Sequence, residues 1–432
     1  MKSNKVYVLD YDIISPLGTG HREVFESLKN NFCAEGLITR FSTDELPVHR
    51  AAEIRADLSH FYSNEDERIK EAIAYDRKLE LIVSVYYLMY SRLHSLFDKI
   101  APGRAGVILG AGADVPNLEY FDKNIKQLIF QPSFKLEETV LHLNKGKSRL
   151  NTVFNPFDVN AIFLAERLKL AAFQKTILTA CSASTQAIAL GFESVINGET
   201  DMVLAGGADS ILNSFAFMSF EKLGVLAKDE DGTGRSCRPF DINRHGTLAG
   251  EAAGLCVLAS EKTVNALGLE PKIEITGYGN TLDAYRLTSP DPAGKGMRRA
   301  LQNALDYAKI LPGDVDYINL HGTGTRNNDS AEMDSLKSVF GESLPGIPVS
   351  STKDRHGHAI AAAGIQEFII LCLCMGNKFV PCNLNLEKPI ETEGADLVQF
   401  HNREKYIKTG ITVNFAFGGV NTVLVTSEAG AN

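Results

Sequence analysis

The sequence lacks any uninterrupted apolar run long enough to cross a membrane. Its longest run, residues 368–375, falls far below the roughly 20 residues that a spanning helix needs. Residues 6–10 near the amino terminus are typical of a strand rather than of the apolar core of a signal peptide. We therefore expect no membrane segment and a cytoplasmic location.

Positive charge and cysteine are also scarce. Lys and Arg total 44 against 53 Asp and Glu, which gives a formal net charge of −9. Nucleic acid is therefore not an expected partner, because phosphate binding needs clustered Lys and Arg. The seven cysteines are odd in number and irregularly spaced, which predicts neither a disulfide framework nor a zinc site. One basic cluster could dock an acidic carrier, although it is more typical of an ordinary solvated helix face: Arg68, Lys70, Arg77 and Lys78.

Strand and helix patterns alternate along the chain. The predicted strands are short apolar runs at 6–9, 106–109, 176–179, 202–205, 253–258, 272–275, 315–320, 347–350 and 411–413. The predicted helices are 78–97, 182–197, 296–308 and 359–375, and residues 130–155 are predicted to leave the core. This alternation predicts a layered α/β fold. A length of 432 residues indicates two domains or a duplicated fold, which we divide into 1–265 and 266–432.

A glycine-rich run at 110–112 follows a predicted strand, as in a dinucleotide-binding loop. The third glycine position holds Val115, and Pro116 follows it directly. Asp114 would place negative charge where a pyrophosphate should bind. We interpret the glycines as a structural turn. The sequence therefore does not support a nucleotide-dependent oxidoreductase.

Cys181 lies where a strand pattern meets a helix pattern. Residues 175–180 are typical of a short buried strand, and residues 182–188 open a helix. Free N–H groups and the macrodipole at a helix N-terminus favour negative charge, so this position predicts a nucleophilic thiolate. The alternative is an inert core cysteine, because cysteine is among the most buried residue types.

Two histidines follow strand patterns in the second half of the chain. His321 opens a run of glycines and threonines at 321–325, which is typical of a loop that lines a cavity. His358 precedes a predicted helix whose dipole would keep its imidazole neutral. Either histidine alone could be structural, and a metal site formed with His356 lacks evident further ligands. A thiolate with two neutral imidazoles indicates nucleophilic catalysis with oxyanion stabilisation.

A glycine loop at 414–421 completes a set of motifs that resembles one family, the β-ketoacyl-[acyl carrier protein] synthases. The matching segments are Thr-Ala-Cys-Ser-Ala-Ser at 179–184, His-Gly-Thr-Gly-Thr at 321–325, Ser-Thr-Lys through Gly-His at 351–358, Phe-Ala-Phe-Gly-Gly at 415–419, Ser-Pro-Leu-Gly at 15–18, and the stretch 238–254. The resemblance covers nearly the whole chain. It implies a thiolase-like fold, with duplicated βαβαβαββ halves in a layered αβαβα sandwich.

The resemblance also implies roles for individual residues. Cys181 is the implied acyl-accepting nucleophile, and His321 and His358 are the implied pair that promotes decarboxylation. Lys353 is implied to order this cluster, with Glu367 as its carboxylate partner. Phe417 is implied to supply an N–H of the oxyanion hole and to act as a gate. Thr323 and Thr325 are implied to contact the pantetheine arm. No metal and no free cofactor are implied, since the substrates are carried on the 4′-phosphopantetheine of an acyl carrier protein.

The implied activity is a decarboxylative Claisen condensation. An acyl group held on Cys181 reacts with malonyl-acyl carrier protein to give a 3-oxoacyl-acyl carrier protein. The implied assembly is a homodimer, or a heterodimer with a related ketosynthase-like subunit. Two alternatives stay open: a non-elongating acyltransferase of the same fold, and a non-condensing partner subunit, a class that lacks the cysteine.

The sequence departs from the family pattern at four places. Ala416 and Ala252 replace usual glycines, and residues 10–12 replace a glycine-containing opening. The charged triplet 354–356 replaces small or neutral residues, and we expect it to add charge to a wall of the cleft. These departures favour a specialised synthase of a polyketide or polyene pathway over the housekeeping fatty-acid enzyme.

Overall fold

The computed structural model describes residues 5–112, 157–230, 232–392 and 394–430. Residues 114–116 and the predicted excursion at 130–155 lie outside the described residues. The described strands are β1 (Val6–Ser15), β2 (Gly18–Thr19), β3 (Glu35–Leu37), β4 (Arg50–Ala52), β5 (Ala105–Ala111), β6 (Gln174–Ile177), β7 (Met202–Ser210), β8 (Glu251–Ser260), β9 (Ile273–Leu282), β10 (Tyr317–Asn319), β11 (Pro348–Ser350), β12 (Phe379–Val380), β13 (Asp396–Leu397), β14 (Arg403–Glu404), β15 (Thr409–Phe415) and β16 (Val420–Glu428).

The described α-helices surround and separate these strands. They are α1 (His21–Lys29), α2 (Glu67–Tyr75), α3 (Arg77–Leu88), α4 (Tyr90–Phe97), α5 (Val159–Leu168), α6 (Ala183–Ile196), α7 (Ser214–Lys222), α8 (Glu261–Leu267), α9 (Lys295–Ala308), α10 (Arg326–Phe340), α11 (Lys353–His356) and α12 (Ala363–Asn377). Two short 3₁₀ turns matter for the site, Ala180–Ser182 before α6 and Ile360–Ala362 before α12.

The two halves of the chain build the same sheet topology. In the first half the strands lie in the order β6-β5-β7-β8-β1, and in the second in the order β11-β10-β15-β16-β9. When the five strands of each half are numbered by their order along the chain, both half-sheets have the strand order 3-2-4-5-1. In each half the first three of these strands are parallel and the remaining neighbours antiparallel. The predicted duplicated α/β fold is therefore confirmed.

Helices α6 and α12 pack between the two half-sheets. Helix α6 contacts β5 and β7 of its own half and β16 of the other, while α12 contacts β15 and also β8. Helices α3 and α5 cover the outer face of the first half-sheet, and α9 covers that of the second. Antiparallel pairing of β1 with β9 joins the half-sheets at Val6–Val8 and Ile273–Ile275. The result is the implied αβαβα layering, with α6 and α12 in the middle layer.

One predicted strand differs in its environment. The run that leads to Cys181 was expected to be buried, whereas β6 is mostly half-buried or exposed and Leu178 just after it is 47% exposed. The prediction was wrong because β6 pairs only with β5 at the end of the sheet, among the described residues. An edge strand has a free side, which the apolar pattern alone does not reveal.

The helices differ from prediction mainly at their ends. The predicted helix 78–97 is two helices, α3 and α4, which meet at Met89.

The stretch Ile360–Asn377 is long and apolar enough to cross a membrane by length and composition, with a mean hydropathy of 1.6. However, 89% of it is buried inside the protein, and it is the central helix α12 with its preceding turn. Its apolar character is therefore that of a core helix.

Charged groups around α2 and α3 are largely paired. Arg77 donates to Glu80 and Glu251, and Lys78 is only 8% exposed. Arg68 and Lys70 form surface pairs with Asp66 and Glu67. The interpretation as an ordinary solvated helix face fits Arg68 and Lys70. It was wrong for Arg77 and Lys78, which turn inward and are largely buried.

Two departures from the family pattern sit inside strands. Asp10 and Asp12 lie on β1, and Arg92 of α4 donates to both carboxylates. Ala252 is fully buried in β8 opposite Asp209. These substitutions are therefore accommodated by an added ion pair and by core packing.

The glycines at 110–112 are explained by close packing. A Cβ on Gly110 would lie 2.3 Å from the backbone nitrogen of Ser184, and a Cβ on Gly112 would lie 2.4 Å from the Asp209 carboxylate. Real Cβ atoms do not approach other atoms so closely. Gly110 therefore lets β5 lie directly against the start of α6, and Gly112 leaves room for the Asp209 carboxylate of β7. Their role is therefore structural, but the interpretation as a turn was wrong for Gly110, which lies within β5 and pairs with β6 and β7.

We predict that Gly110→Ala destabilises the fold by about 1–3 kcal/mol, because the added methyl group forces α6 away from β5. Gly103→Ala is the matched control, since nothing lies within 4 Å of a Cβ there. Denaturant unfolding of both variants measures the difference. Equal midpoints for Gly110→Ala and the wild type would contradict the packing role.

Candidate active site

A strained turn holds Cys181 between β6 and α6. Ala180 has a φ of +48°, in the left-handed region that favours glycine, and Cys181 follows it in the 3₁₀ turn Ala180–Ser182. Backbone strain of this kind persists only where the surroundings impose it, and it clusters at functional sites. The turn directs Cys181 towards the second half of the chain.

The thiol of Cys181 is buried against groups from that second half. Its Sγ lies 3.0 Å from Nε2 of His358, and the backbone N–H of Phe417 donates to the sulfur. Cys181 is only 5% exposed, and burial raises the pKa of its thiol to about 11 despite the Phe417 N–H. The predicted lowering of this pKa was wrong, because desolvation of a thiolate outweighs the charges that favour it. At neutral pH the group is a thiol whose proton His358 can accept.

Both candidate histidines are neutral. Burial, and then the nearby Lys353 ammonium, hold the pKa of His321 and of His358 well below the usual range. The predicted neutrality is therefore confirmed, although burial rather than a helix dipole is its main cause. The rings meet edge to face with centroids 5.3 Å apart.

Lys353 and Asn414 determine which nitrogen of His321 carries the proton. The Lys353 Nζ and the Asn414 Nδ2 each lie 3.3 Å from His321 Nδ1. Both groups are donors, so Nδ1 must be the acceptor and the proton must sit on Nε2. His321 therefore presents an Nε2–H donor on the side away from Lys353.

Glu367 holds this pair of donors in place. Lys353 donates to one carboxylate oxygen of Glu367 and to the carbonyl of His321, and Asn414 Nδ2 donates to the other oxygen at 2.6 Å. Thr185 donates to the amide oxygen of Asn414, which fixes the orientation of that side chain. Burial raises the pKa of Glu367, and the Lys353 ammonium opposes that change.

Sequence reasoning gave Asn414 no role and missed the support beneath His321. Glu332 accepts the backbone N–H groups of His321 and Gly322 at 2.7 and 2.8 Å, and Asp329 accepts that of Thr323 at 3.1 Å. Both carboxylates are fully buried on α10, and burial raises the pKa of Glu332 to about 8. Asp329 and Glu332 are three residues apart, so the sequence could have shown that they share one face of a helix. Nothing in the pattern showed that this face of α10 is buried against the loop that carries His321.

His356 does not form a metal pair with His358. Its Nε2 lies 2.9 Å from Thr352 Oγ1 and its Nδ1 lies 2.7 Å from the Gly357 carbonyl, so both ring nitrogens are occupied. Ligand atoms of Cys181, His321 and His358 do lie within 4.8 Å of one another, a spacing that could hold a metal ion. The Lys353 ammonium beside His321 opposes a cation there.

The charged triplet 354–356 does not line the cleft. All three side chains are buried, and Arg355 is 0% exposed. Arg355 donates to the carbonyls of Leu28 and Cys382, each at 2.8 Å, and to Asn402 Oδ1 at 3.4 Å. The expectation of added charge on a cleft wall was wrong, because the triplet turns inward and fastens the segment between Lys353 and His358 to the first half.

A cavity of about 440 Å³ leads to the thiol. Cys181, His321 and His358 lie in its wall, and Thr323, Thr325 and Phe417 line it further along. The structure thus brings all the predicted site residues to one cavity except Lys353 and Glu367, which lie behind His321.

The glycine loop closes one side of this cavity. Ala416 has an extended backbone with a φ of −105°, which alanine adopts as readily as glycine, while Gly418 and Gly419 have φ of +83° and +80°. Gly418 N–H donates to the Leu287 carbonyl at 2.7 Å, and Asp283 N–H donates to the Gly419 carbonyl at 2.8 Å. The substitution at Ala416 therefore leaves the loop conformation intact, and the loop is tied to residues 283–287.

Two family models match this chain along most of its length. The N-terminal domain of beta-ketoacyl synthases matches residues 3–263, and the C-terminal domain matches residues 273–387. The chain belongs to the β-ketoacyl synthase family. The candidate cysteine lies in the first matched region and both candidate histidines lie in the second.

Relatives of this family member are similar over their whole length. A 3-oxoacyl-[acyl-carrier-protein] synthase 2 of Staphylococcus aureus (strain N315) is 31% identical over 430 residues, which cover 98% of this chain and 99% of the relative. One similar solved structure is a type II polyketide synthase acyl carrier protein in complex with its ketosynthase bound to the hexaketide, with a TM-score of 0.83, 23% identity and 99% coverage of both chains. Another is the ishigamide ketosynthase/chain length factor, with a TM-score of 0.82, 24% identity, and coverage of 99% of this chain and 100% of that one. The thiolase-like fold is shared with these structures.

We predict that alkylation of Cys181 in this family member speeds up about tenfold per pH unit between about pH 7 and pH 9.5, because only the thiolate reacts and its pKa is about 11. Iodoacetamide labelling followed by peptide mass spectrometry measures the rate. Cys181→Ser, labelled in parallel, identifies signal from the other six cysteines. A plateau near the ordinary thiol pKa of about 8.5 would show that the site lowers rather than raises this pKa.

We predict that Arg355→Met destabilises the fold by about 3–5 kcal/mol, because it leaves Asp354 and three acceptors buried without their cation. Arg403→Met is the control, since Arg403 forms an exposed pair with Asp396 that contributes about 0–1 kcal/mol. Chemical denaturation compares the two variants. If both variants lose a similar free energy of unfolding, the buried contacts of Arg355 stabilise the fold no more than an exposed ion pair does.

Proposed function

We propose that this chain catalyses the decarboxylative condensation of an acyl group, held on Cys181, with malonyl-acyl carrier protein to give 3-oxoacyl-acyl carrier protein. The observation that carries the proposal is the fixed tautomer of His321. Lys353 and Asn414 both donate towards its Nδ1, so an Nε2–H is presented beside Cys181 and His358. Such a donor suits an enolate oxygen.

The first step transfers the acyl group to Cys181. The sulfur attacks the carrier thioester, His358 Nε2 takes the thiol proton across the 3.0 Å contact, and the departing carrier thiolate receives that proton. The backbone N–H groups of Cys181 and Phe417 form the oxyanion hole. The Phe417 N–H that donates to the sulfur supports this role.

The second step forms the carbon nucleophile and the new bond. The C–C bond to the malonyl carboxylate breaks and CO₂ leaves. The electron pair of that bond becomes an enolate whose oxygen accepts the Nε2–H of His321 and, once the neutral His358 ring carries its proton on Nε2, that of His358 as well. The enolate carbon attacks the acyl-Cys181 carbonyl, the C–S bond breaks, and the Cys181 thiolate takes up a proton from solvent through His358. Glu367 keeps Lys353 and Asn414 aimed at His321 throughout.

The substrates are carried on the 4′-phosphopantetheine of an acyl carrier protein, and no free cofactor takes part. Thr323 and Thr325, which line the cavity, contact the pantetheine arm, and Phe417 gates the passage to Cys181. The similar solved structure that pairs a ketosynthase with its acyl carrier protein supports this choice of partner. The seven free cysteines support a reducing, cytoplasmic location.

The chain forms a dimer, either with a second copy or with a related ketosynthase-like subunit. Among the described residues β6 pairs only with β5, and its other side supports such pairing, as does the similarity to a ketosynthase/chain length factor pair. The functional halves are residues 1–265, which carry the nucleophile, and 266–432, which carry the histidines. The similarity to a ketosynthase of a type II polyketide synthase supports a specialised polyketide or polyene synthase.

We predict that incubation with an acyl-carrier thioester adds the acyl mass to Cys181, and that malonyl carrier then discharges it as a 3-oxoacyl product. Intact-protein mass spectrometry and product chromatography follow both steps. Absence of the adduct, or an adduct that persists in Cys181→Ala, would rule out this acyl-enzyme.

His321→Ala tests the division of labour. The variant should still acquire the acyl group but lose condensation by about 10²–10³-fold, because it removes one oxyanion donor. The exposed His49→Ala is the control and should match the wild type. Acyl transfer without release of CO₂ in the wild type would instead indicate the non-elongating acyltransferase.

A further inference from the structure

An arginine-lined crevice adjoins the catalytic cavity. It has a volume of about 430 Å³, and its walls come from residues 242–244, from residues 285–292 and from the first turns of α10. Four residues line both spaces: Ser289, Pro290, Arg326 and Asn327. The crevice and the cavity that reaches Cys181 are therefore neighbouring parts of one surface opening.

Arg244 forms the buried floor of the crevice. It is 7% exposed, and its guanidinium donates to the carbonyls of Asp241 and Arg326 at 3.0 and 3.1 Å and to Ser330 Oγ at 2.8 Å. Its Nε has no hydrogen-bond partner in the described part of the chain and lies 3.7 Å from an Asp329 oxygen. These contacts hold a cation at the base of the crevice and tie it to α10.

Two further arginines stand at the rim. Both are exposed: the guanidinium of Arg286 lies 5.4 Å from the ring centre of Tyr285, and Arg326 is the first residue of α10. Neither forms an ion pair with a carboxylate among the residues that the structure describes. The first turn of the 15-residue α10 adds positive potential, since Thr325 provides no side-chain cap.

Few acidic groups oppose these cations. Asp334 lines the crevice and lies 3.8 Å from the ammonium of Lys337. Asp329 is fully buried and accepts the backbone N–H groups of Phe240 and Thr323. Asp329 therefore offsets Arg244, while Arg286 and Arg326 at the rim face only the partly compensated Asp334, which favours an anion there.

We propose that Arg244, Arg286 and Arg326 bind the phosphate of the arm that delivers the acyl and malonyl groups, an inference that rests on the proposed function. The thioester end of that arm must reach Cys181 through the cavity, while its phosphate end remains at the opening. Arginine suits this ligand, because its planar guanidinium donates two parallel hydrogen bonds to phosphate oxygens.

This site has a specific kinetic consequence. The phosphate lies far from the reacting carbons and keeps its contacts throughout the reaction. Such contacts stabilise the bound substrate and the transition state equally, so they lower KM and leave kcat unchanged. Discrimination between thioesters with and without phosphate should therefore appear in KM.

The test compares thioesters of pantetheine, phosphopantetheine, coenzyme A and the carrier protein. We predict that the wild type prefers phosphopantetheine over pantetheine thioesters by about 10-fold or more in kcat/KM, as expected for hydrogen bonds between charged groups. In Arg286→Gln/Arg326→Gln this ratio should fall towards 1. The ratio is internal to each variant, so a general loss of folded enzyme does not change it.

Arg299→Gln is the matched control, since Arg299 is exposed on α9 and lines neither space. A wild-type ratio near 1, or a ratio unchanged by the double substitution, would overturn the phosphate site. If the double substitution lowers kcat/KM only for carrier-protein substrates, the arginines bind the carrier's acidic surface. If it lowers kcat/KM only for coenzyme A thioesters, they bind the nucleotide phosphates. Either result overturns the proposal. Absence of condensation with every thioester would instead overturn the proposed function.

Discussion

The contact between the starts of α6 and α12 sets the geometry of the whole site. A Cβ on Gly364 would lie 1.8 Å from Thr185 Oγ1, and the Ile365 N–H donates to Ser184 Oγ at 2.9 Å. The two central helices can approach so closely only because position 364 has no side chain. This approach brings the turn that carries Cys181 within hydrogen-bond distance of His358, which belongs to the other half of the chain.

Burial then decides the charge states. Cys181, His321 and His358 are each at most 5% exposed, so their neutral forms are favoured. The ion pair of Lys353 with Glu367 is the charged element directly behind them. A buried ion pair is weak evidence for stability, because desolvation offsets most of the attraction. Its value in this site is orientation, since it aims fixed donors at one nitrogen of His321.

Much of the fold and the site could be predicted from the sequence. The strand and helix patterns indicated a duplicated α/β fold, and the motifs located Cys181, His321, Lys353 and His358. The fold prediction is confirmed, and the structure brings these four residues together. Each of them lies in a short segment whose ends and small residues are visible in the pattern. The shared strand order of the two halves is consistent with the same patterns.

The remaining features depend on contacts between distant segments. The pKa of Cys181 is raised by burial in a cluster built from several segments, among them Ile38, Ile211 and Ile360, which local position at a helix start does not show. The Arg355 side chain is buried because the backbone carbonyls of Leu28 and Cys382 accept its hydrogen bonds. Glu332 supports His321 through the backbone. Sequence patterns identify which residues are polar, but tertiary packing decides whether a polar group faces solvent, a cavity or a buried partner.

The two halves repeat the same turn, yet only the turn of the first half carries a thiol. Ala180 and Ile360 both have left-handed backbones, with φ of +48° and +43°, and each opens a 3₁₀ turn that leads into a central helix. The second turn places Ala361 where the first places Cys181. Its N–H already donates to the Asp209 carboxylate at 3.0 Å, so it has neither a nucleophile nor a free oxyanion donor. The repeated turn therefore presents a thiol in the first half, whereas in the second half it ties the start of α12 to β7.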